Sequence, residues 1–425
     1  MYQYIHFKGV PFTANRIRVT NYHDFVSSDC YDYAWAVKAD GKTLFEGKLD
    51  VPVIAPHQSA EVVVPMPEIQ PEAGTEYFLH LSARTKQDTP LVPKGHLAAS
   101  EQWQLPIQAH AVLPEKATGT LTIEETPEKI HITGNSVSLS FSKASGEMDS
   151  YRIGGKEYLQ EGLRPNFWRG LTDNDVANGM DERCNTWKSA GDKLQLTGIT
   201  IQPSAGKEQV TIRSAYKMPE QDAQTLITYT VYADGVVKTD FAFTPGEKVL
   251  PEIPRVGMRM ILKGEYDQMT WFGRGPQENY WDRKSGADID LYKASVWEQY
   301  HPYVRAQETA NKTDVRWAAL QNKDGEGLLV KTASHPLNVS AWNFPMKDIE
   351  YIPSMIRHIH GGSIEKKDMV WLNIDSKQMG VGGDNTWGAQ THPEYTITPE
   401  AQSYSFYLIP VDRQTDLVKQ AKLSR

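Results

Sequence analysis

The side chains in this sequence that could do chemistry fall into a few small groups. Glu278 and Asp282 stand close together in Trp271-Phe272-Gly273-Arg274-Gly275-Pro276-Gln277-Glu278-Asn279-Tyr280-Trp281-Asp282-Arg283 and have the residue types of an acid/base pair. The glycines and proline around them point instead to a tight turn whose polar side chains satisfy buried backbone groups. His358 and His360 would share one face of a strand, within reach of one metal ion, but no third ligand stands nearby and ordinary core or surface histidines fit better. Asp173-Asn174-Asp175 with Gly179 has the flavour of a calcium loop yet lacks the bidentate glutamate that closes one, so an Asx-type turn is expected. Cys30 and Cys184 lie far apart with no C-x-x-C or Cys/His spacing and are expected as small buried apolar residues. No metal site is expected. Trp387 follows the turn-rich Gly382-Gly383-Asp384-Asn385, so its ring is a candidate to project from the fold and stack on a ligand.

The elements that must position these residues are strands. Arg16-Ile17-Arg18-Val19-Thr20, Tyr31 to Val37 and Thr75 to Leu81 alternate apolar with polar residues, the period of a strand with one buried face. Asp40-Gly41 between Trp35-Ala36-Val37-Lys38 and Thr43-Leu44-Phe45-Glu46 predicts a tight hairpin. With Glu61-Val62-Val63-Val64 and Glu101 to Leu105, about seven short strands fit an immunoglobulin-like sandwich over residues 1–106. Residues 107–118 lose the alternation, follow directly on Pro106 and contain Pro114, as a linker does. From 119 to 425 the strand signals continue, typified by Ser136 to Phe141, Leu226 to Tyr232 and Val236 to Phe241, the last two joined by Ala233-Asp234-Gly235. With no second proline-rich break, one large antiparallel β-sandwich covers this stretch, and the fold class is all-β throughout.

Composition narrows the partners. A chain of 425 residues is long enough for two or more domains, each with its own core. The net charge of −8, with scattered basic residues, lacks the positive footprint of a nucleic-acid or anionic-membrane binder. No apolar stretch reaches bilayer-spanning length, and Met1-Tyr2-Gln3-Tyr4-Ile5 lacks a secretion-signal pattern. Cytoplasm and periplasm of a bacterium both stay open as compartments. The 11 Trp, 20 Tyr and 12 Phe favour β structure and, more weakly, sugar binding, although most of these rings are expected in the sheet core.

Several segments, in order, resemble the C-terminal third of the lactose-cleaving β-galactosidases of glycoside hydrolase family 2. The run from Trp271 to Arg283 is similar to that family's W-x-G-x-G-P-x-E-x-Y-x-D-R segment. Tyr300-His301-Pro302-Tyr303-Val304 with Gln307-Glu308 resembles Y-x-x-Y-x-x-P-x-E, with Gln307 where the pattern has proline or serine. Arg169 to Asp175 and Trp187-Lys188-Ser189-Ala190-Gly191 resemble R-x-x-x-D-N-D and W-K-x-A-G. Arg357-His358-Ile359-His360 and Trp371-Leu372-Asn373-Ile374-Asp375 lead into Met379-Gly380-Val381-Gly382-Gly383-Asp384-Asn385-Thr386-Trp387, similar to M-G-x-G-G-D-x-S-W with Thr386 for serine.

The resemblance implies an immunoglobulin-like sandwich followed by a large sandwich resembling galactose mutarotase. It also implies that the catalytic glutamates and most sugar and metal ligands sit in a preceding barrel whose motifs are absent here, so this chain is expected to carry no catalytic residue and to be inactive alone. A retaining glycosidase needs two carboxyl groups about 5 Å apart across the scissile bond, and those here have no inherited claim to that role. By the same resemblance Trp387 projects into the barrel's mouth and lines the galactoside site. No cofactor is expected in this region, whereas the full-length enzyme would use Mg2+ and Na+ held mainly through the barrel. The implied partners are a galactoside such as lactose, the missing N-terminal and barrel domains of the same polypeptide, and further copies of the full-length enzyme in a homo-oligomer, with no nucleic acid and no membrane. Two alternatives stay open: a carbohydrate-binding module, and a free-standing mutarotase-like enzyme that uses a Glu and a His converging in one cleft of the second domain.

Overall fold

A computed structural model describes residues 2–11, 15–107, 109, 117–354 and 359–423. It forms two compact units, one of the residues up to Leu113 and one from Pro114 to Leu423. Most of the segment 107–118, read above as a linker, lies outside the described residues.

The first unit contains two antiparallel sheets. One pairs Ile5–Gly9, Arg16–Asn21 and Ser59–Val63, and the other runs Lys42–Lys48, Tyr31–Ala39, Tyr77–Thr85 and Leu97–Gln104 in that spatial order. Alternate residues such as Ile17, Val19, Tyr33, Trp35, Val37, Leu79 and Leu81 point inward and form its core, as the period of two requires. This is the expected immunoglobulin-like sandwich. The hairpin at Asp40-Gly41 has positive φ at both residues, 46° and 84°, which matches the right-handed twist of the flanking strands.

The second unit is built mainly on a nine-stranded and a five-stranded antiparallel sheet. The larger runs Gln195–Pro203, Gln209–Met218, Ala223–Tyr232, Val237–Pro245, Gln402–Val411, Gly327–Thr332, Trp317–Gln321, Gln268–Gly275, Asp288–Ser295. The smaller runs Leu159–Asn166, Arg255–Lys263, Met369–Gln378, Leu337–Trp342, Lys312–Val315. One continuous core joins them, with Ile212, Tyr229, Phe241 and Phe406 from the larger sheet and Met258, Leu262, Val339 and Leu372 from the smaller. A further five-stranded sheet, from Thr122–Glu125 to Lys156–Glu157, adds Ile130, Phe141 and Tyr151 to that core. Helices are confined to short turns, Asp173–Ala177, Met180–Arg183 and Leu417–Lys422 among the described residues. The fold is therefore all-β, with antiparallel pairing in every sheet.

Strands of the smaller sheet depart from simple alternation. Arg255–Lys263 is buried at eight consecutive positions, Arg255 and Arg259 included. Covering both faces of a strand leaves no solvent side to mark its period.

Candidate functional site

Loops between these strands bring four of the singled-out segments, around Asp173, Glu278, Gln307 and Val381, to one cleft of about 240 Å³ in the second unit. Its walls include Asp173, Asn174, Glu278, Tyr280, Arg283 and Tyr303, joined by Gln307, Glu308, Val381 and Thr386. Residues as far apart in the chain as Asp173 and Thr386 thus share one wall.

The segment Arg169 to Asp175 is anchored by a buried ion pair. Arg169 donates from Nε and Nη2 to the two oxygens of Asp175, at 3.1 and 2.8 Å, and both side chains are essentially inaccessible. The same guanidinium donates to the Met379 carbonyl and, at 2.8 Å, to that of Gly380. Asn174 Nδ2 adds a bond to the Val381 carbonyl at 3.1 Å. Asp175 also accepts from Thr172 N while Thr172 Oγ1 accepts from Asp175 N, a reciprocal capping box on the helical turn Asp173–Ala177. The expected Asx-type turn is corrected here: Asp175 reaches back to cap a helix, because Thr172 and Asp175 have the three-residue offset of that motif.

Asp282 holds the other side of the same loop, accepting from Val381 N at 3.1 Å and Gly382 N at 2.6 Å. A Cβ on Gly380 would lie 2.7 Å from the Asp282 carboxylate, so glycine is needed for this approach. Glu278 accepts from Arg283 Nη2 at 2.8 Å, Thr309 Oγ1 at 3.1 Å and Ala310 N at 2.8 Å, and from the Tyr303 hydroxyl. The two carboxylates therefore satisfy turn and backbone groups.

Glu308 is fully buried and pairs with Arg255 at 2.7 Å, while Asp375 lies 3.4 Å from another nitrogen of the same guanidinium. Burial pushes the Asp375 carboxyl up to about 8, with Arg255 opposing and the Glu308 charge adding to the rise. Burial likewise raises Glu308, against the pull of Arg255. One arginine between two buried acids keeps one of them charged, and the close Glu308 contact assigns the charge there and the proton to Asp375.

Trp387 stands apart from the other tryptophans. Ten of the 11 are buried or half-buried, as sheet-core rings should be, whereas Trp387 is 90% exposed. Its loop is braced from within: Asn385 Oδ1 accepts from Trp387 N at 2.8 Å, and His392 Nε2 meets Asp384 Oδ1 at 2.8 Å. That carboxylate holds the His392 imidazole above its usual range.

Among the described residues, the remaining candidates do not converge on the cleft. His360 caps the turn Gly361–Ser363 by accepting from Gly362 N at 3.1 Å, and His358 lies outside the described residues. Cys184 is buried, but Cys30 is only half-buried, a correction that follows from its place at the edge of a short turn entering Tyr31–Ala39. Tyr280, Arg283, Tyr303 and Gln307 were not singled out from the sequence as site residues. Their inclusion within or beside the segment around Glu278 was the only signal.

Residues 133–408 match the family model for the β-galactosidase small chain, and residues 17–106 that for β-galactosidase domain 4. The first match covers more than half of the chain, which therefore belongs to the β-galactosidase small chain family. A β-galactosidase from Priestia megaterium is 36% identical over 401 residues, covering 93% of this chain and 37% of that protein. One from Halalkalibacterium halodurans is 29% identical over 90% of this chain and 37% of its own length. The chain thus spans little more than a third of the relatives it matches. Among solved structures, a galactose 1-epimerase from Lactobacillus acidophilus NCFM aligns over 70% of this chain and 99% of its own at 8% identity, with a TM-score of 0.36.

Proposed function

We propose that this chain works as the C-terminal, non-catalytic but site-completing part of a β-galactosidase that hydrolyses terminal β-galactosides such as lactose with retention. The observation that carries this reading is the pair of family matches covering both units, in a chain that spans 37% of its relatives. Bond breaking is assigned to carboxylates outside this chain. Glu278 already accepts four hydrogen bonds and Glu308 is locked against Arg255, so neither is available to shuttle protons. The contribution of this chain is the Trp387 ring, which stacks on a sugar face, and the braced loop that presents it. Mg2+ and Na+ are assigned to the same other part of the polypeptide, which together with further copies of the full-length enzyme makes up its partners, and no step considered for this chain runs through them.

The mutarotase-like alternative needs a glutamate and a histidine in one cleft. Among the described residues the cleft around Glu278 has no histidine, but Glu278 and His301 together line a neighbouring one, so it is the family matches rather than this absence that favour the β-galactosidase reading. A carbohydrate-binding module acting by itself would need only Trp387 and its loop. Hydrolysis of a chromogenic β-galactoside decides the matter: the 425-residue chain alone gives none, and the polypeptide that includes the barrel gives turnover. Activity that copurified with this chain through successive steps would overturn the assignment.

A further inference from the structure

A second pocket of the same unit, of about 160 Å³, is lined by Trp281, Lys284, Asp314, His335, Ser376 and Lys377 among others, and it shares no lining residue with the cleft around Glu278. Its charges do not balance. Asp314 is met by two cations, Arg274 Nε at 2.5 Å and Lys284 Nζ at 3.0 Å from each of its oxygens, one more than its charge requires. Lys377 is exposed, has no carboxylate partner among the described residues, and holds its ammonium 5.3 Å from the centroid of the Trp281 ring. Three cations thus stand against one carboxylate, a surplus of two positive charges in a chain whose net charge is −8. The nearest acids in sequence do not cancel it: Asp282 spends its carboxylate on the amides of Val381 and Gly382, and Asp375 carries a proton. The pocket also has a polar floor. Ser376 is 4% exposed, and its Oγ lies 2.9 Å from His335 Nε2. Burial first, and then the charge of Lys377, hold that imidazole below its usual range, which places the lysine ammonium near it as well as near Trp281. With the ring proton on Nε2, His335 donates to the serine and leaves the serine hydroxyl proton to turn toward a ligand.

We propose that this pocket binds a phosphate group, free or carried on a small organic molecule, held by the Lys284 and Lys377 ammoniums and by the Ser376 hydroxyl that His335 orients. A phosphate dianion matches the surplus of two charges, and lysines bind phosphate as point charges through the stronger, charge-assisted kind of hydrogen bond. The Trp281 ring, packed T-shaped against Tyr395 at 5.8 Å, walls one side and keeps bulk water from screening those contacts. A volume of about 160 Å³ equals the liquid share of roughly five waters, which admits one phosphate and a small substituent but no nucleotide. This site goes beyond the galactoside reading, since it recognises charge and lies apart from the cleft around Glu278.

The test is calorimetric titration of the 425-residue chain with inorganic phosphate and with methyl phosphate, at ionic strength held constant with sodium chloride. Saturable binding of at least one, with Kd on the order of millimolar, is expected, and the tighter of the two tells a free ion from an ester as the occupant. Lys377→Gln removes an exposed charge, so the thermal midpoint stays in place while binding weakens about tenfold, the lower end of what one charge-assisted hydrogen bond contributes. Ser376→Ala weakens it by a smaller factor. Lys42→Gln removes the same charge from an exposed strand of the first unit and leaves binding unchanged. Absence of saturation by either phosphate up to about 50 mM overturns the proposal. So does wild-type binding by Lys377→Gln, or a loss in Lys42→Gln as large as that in Lys377→Gln, which would reduce the effect to overall charge. None of these readings requires hydrolysis, so failure here and failure of the β-galactosidase assignment are separate results.

Discussion

Replacing Asp175 with asparagine tests how the loop that presents Trp387 is held. Arg169 is fully buried and donates to Asp175 twice, at 3.1 and 2.8 Å, as well as to the carbonyls of Met379 and Gly380. Asparagine keeps the shape and one acceptor but removes the negative charge that pairs directly with the buried guanidinium. Charge-assisted hydrogen bonds contribute about 1.5–3 kcal/mol each, and removing one partner of a buried pair costs about 3–5 kcal/mol. One bond survives in weaker form, so the lower end of that range applies, about 3 kcal/mol or two decades in the folding equilibrium. Urea unfolding of the second unit, followed through its buried tryptophans, measures this as a fall in midpoint at constant slope. Because the pair ties residues 169–175 to 379–380, the variant also frees the adjoining loop, and acrylamide quenching of the exposed Trp387 should change with it. A loss below about 1 kcal/mol would refute the reasoning, since it would mean that the pair is solvated or redundant.

Other predictions follow from the same contacts. Glu278→Gln lowers the thermal midpoint by several degrees, because a neutral amide cannot accept all four of the bonds that converge on the carboxylate; an unchanged melting curve with activity abolished in the longer enzyme would favour a catalytic role instead. Asp375 carries a folded-state value of about 8 against 3.8 when free, so the folded protein binds the extra proton and its stability falls as pH rises between those values. Asp375→Asn removes that dependence, and urea midpoints of the two proteins should approach or cross toward pH 8, whereas parallel curves would contradict the assignment of the proton to Asp375. Limited proteolysis should cut first within residues 107–118; a first cut between 260 and 310 would argue against that boundary.

Much of the fold was legible because one-sided burial prints itself on a strand. Tyr31–Ala39, Ala223–Tyr232 and Val237–Pro245 alternate as their burial does, and Asp40-Gly41 announces its turn through the residues that tolerate positive φ. Arg255–Lys263 gave no such signal, since a strand covered on both faces has no polar register and here even carries two arginines inward. The cleft was legible only as segments. That Trp387 lies in a loop could be read from Gly382-Gly383-Asp384-Asn385, but that Arg169 reaches Gly380, or that Arg255 sits between Glu308 and Asp375, depends on pairings far apart in the chain that no local pattern encodes. The capping box rests on the three-residue spacing of Thr172 and Asp175, whereas the sequence reading weighed Asp173-Asn174-Asp175 only as a calcium loop against an Asx-type turn.

The most direct test of the central claim, that this chain completes the galactoside site without doing the bond breaking, is the kinetics of Trp387→Ala in the polypeptide that includes the barrel. The ring is 90% exposed, so its removal leaves folding intact and the kinetics report on the proposed contact with substrate. Losing one good apolar contact costs about 1–3 kcal/mol, and each 1.4 kcal/mol is about tenfold in affinity. The predicted result is KM for lactose raised by one to two orders of magnitude with a smaller change in kcat, the pattern of lost ground-state binding. An unaltered KM, with or without a change in kcat, would place the ring outside the site and contradict the account.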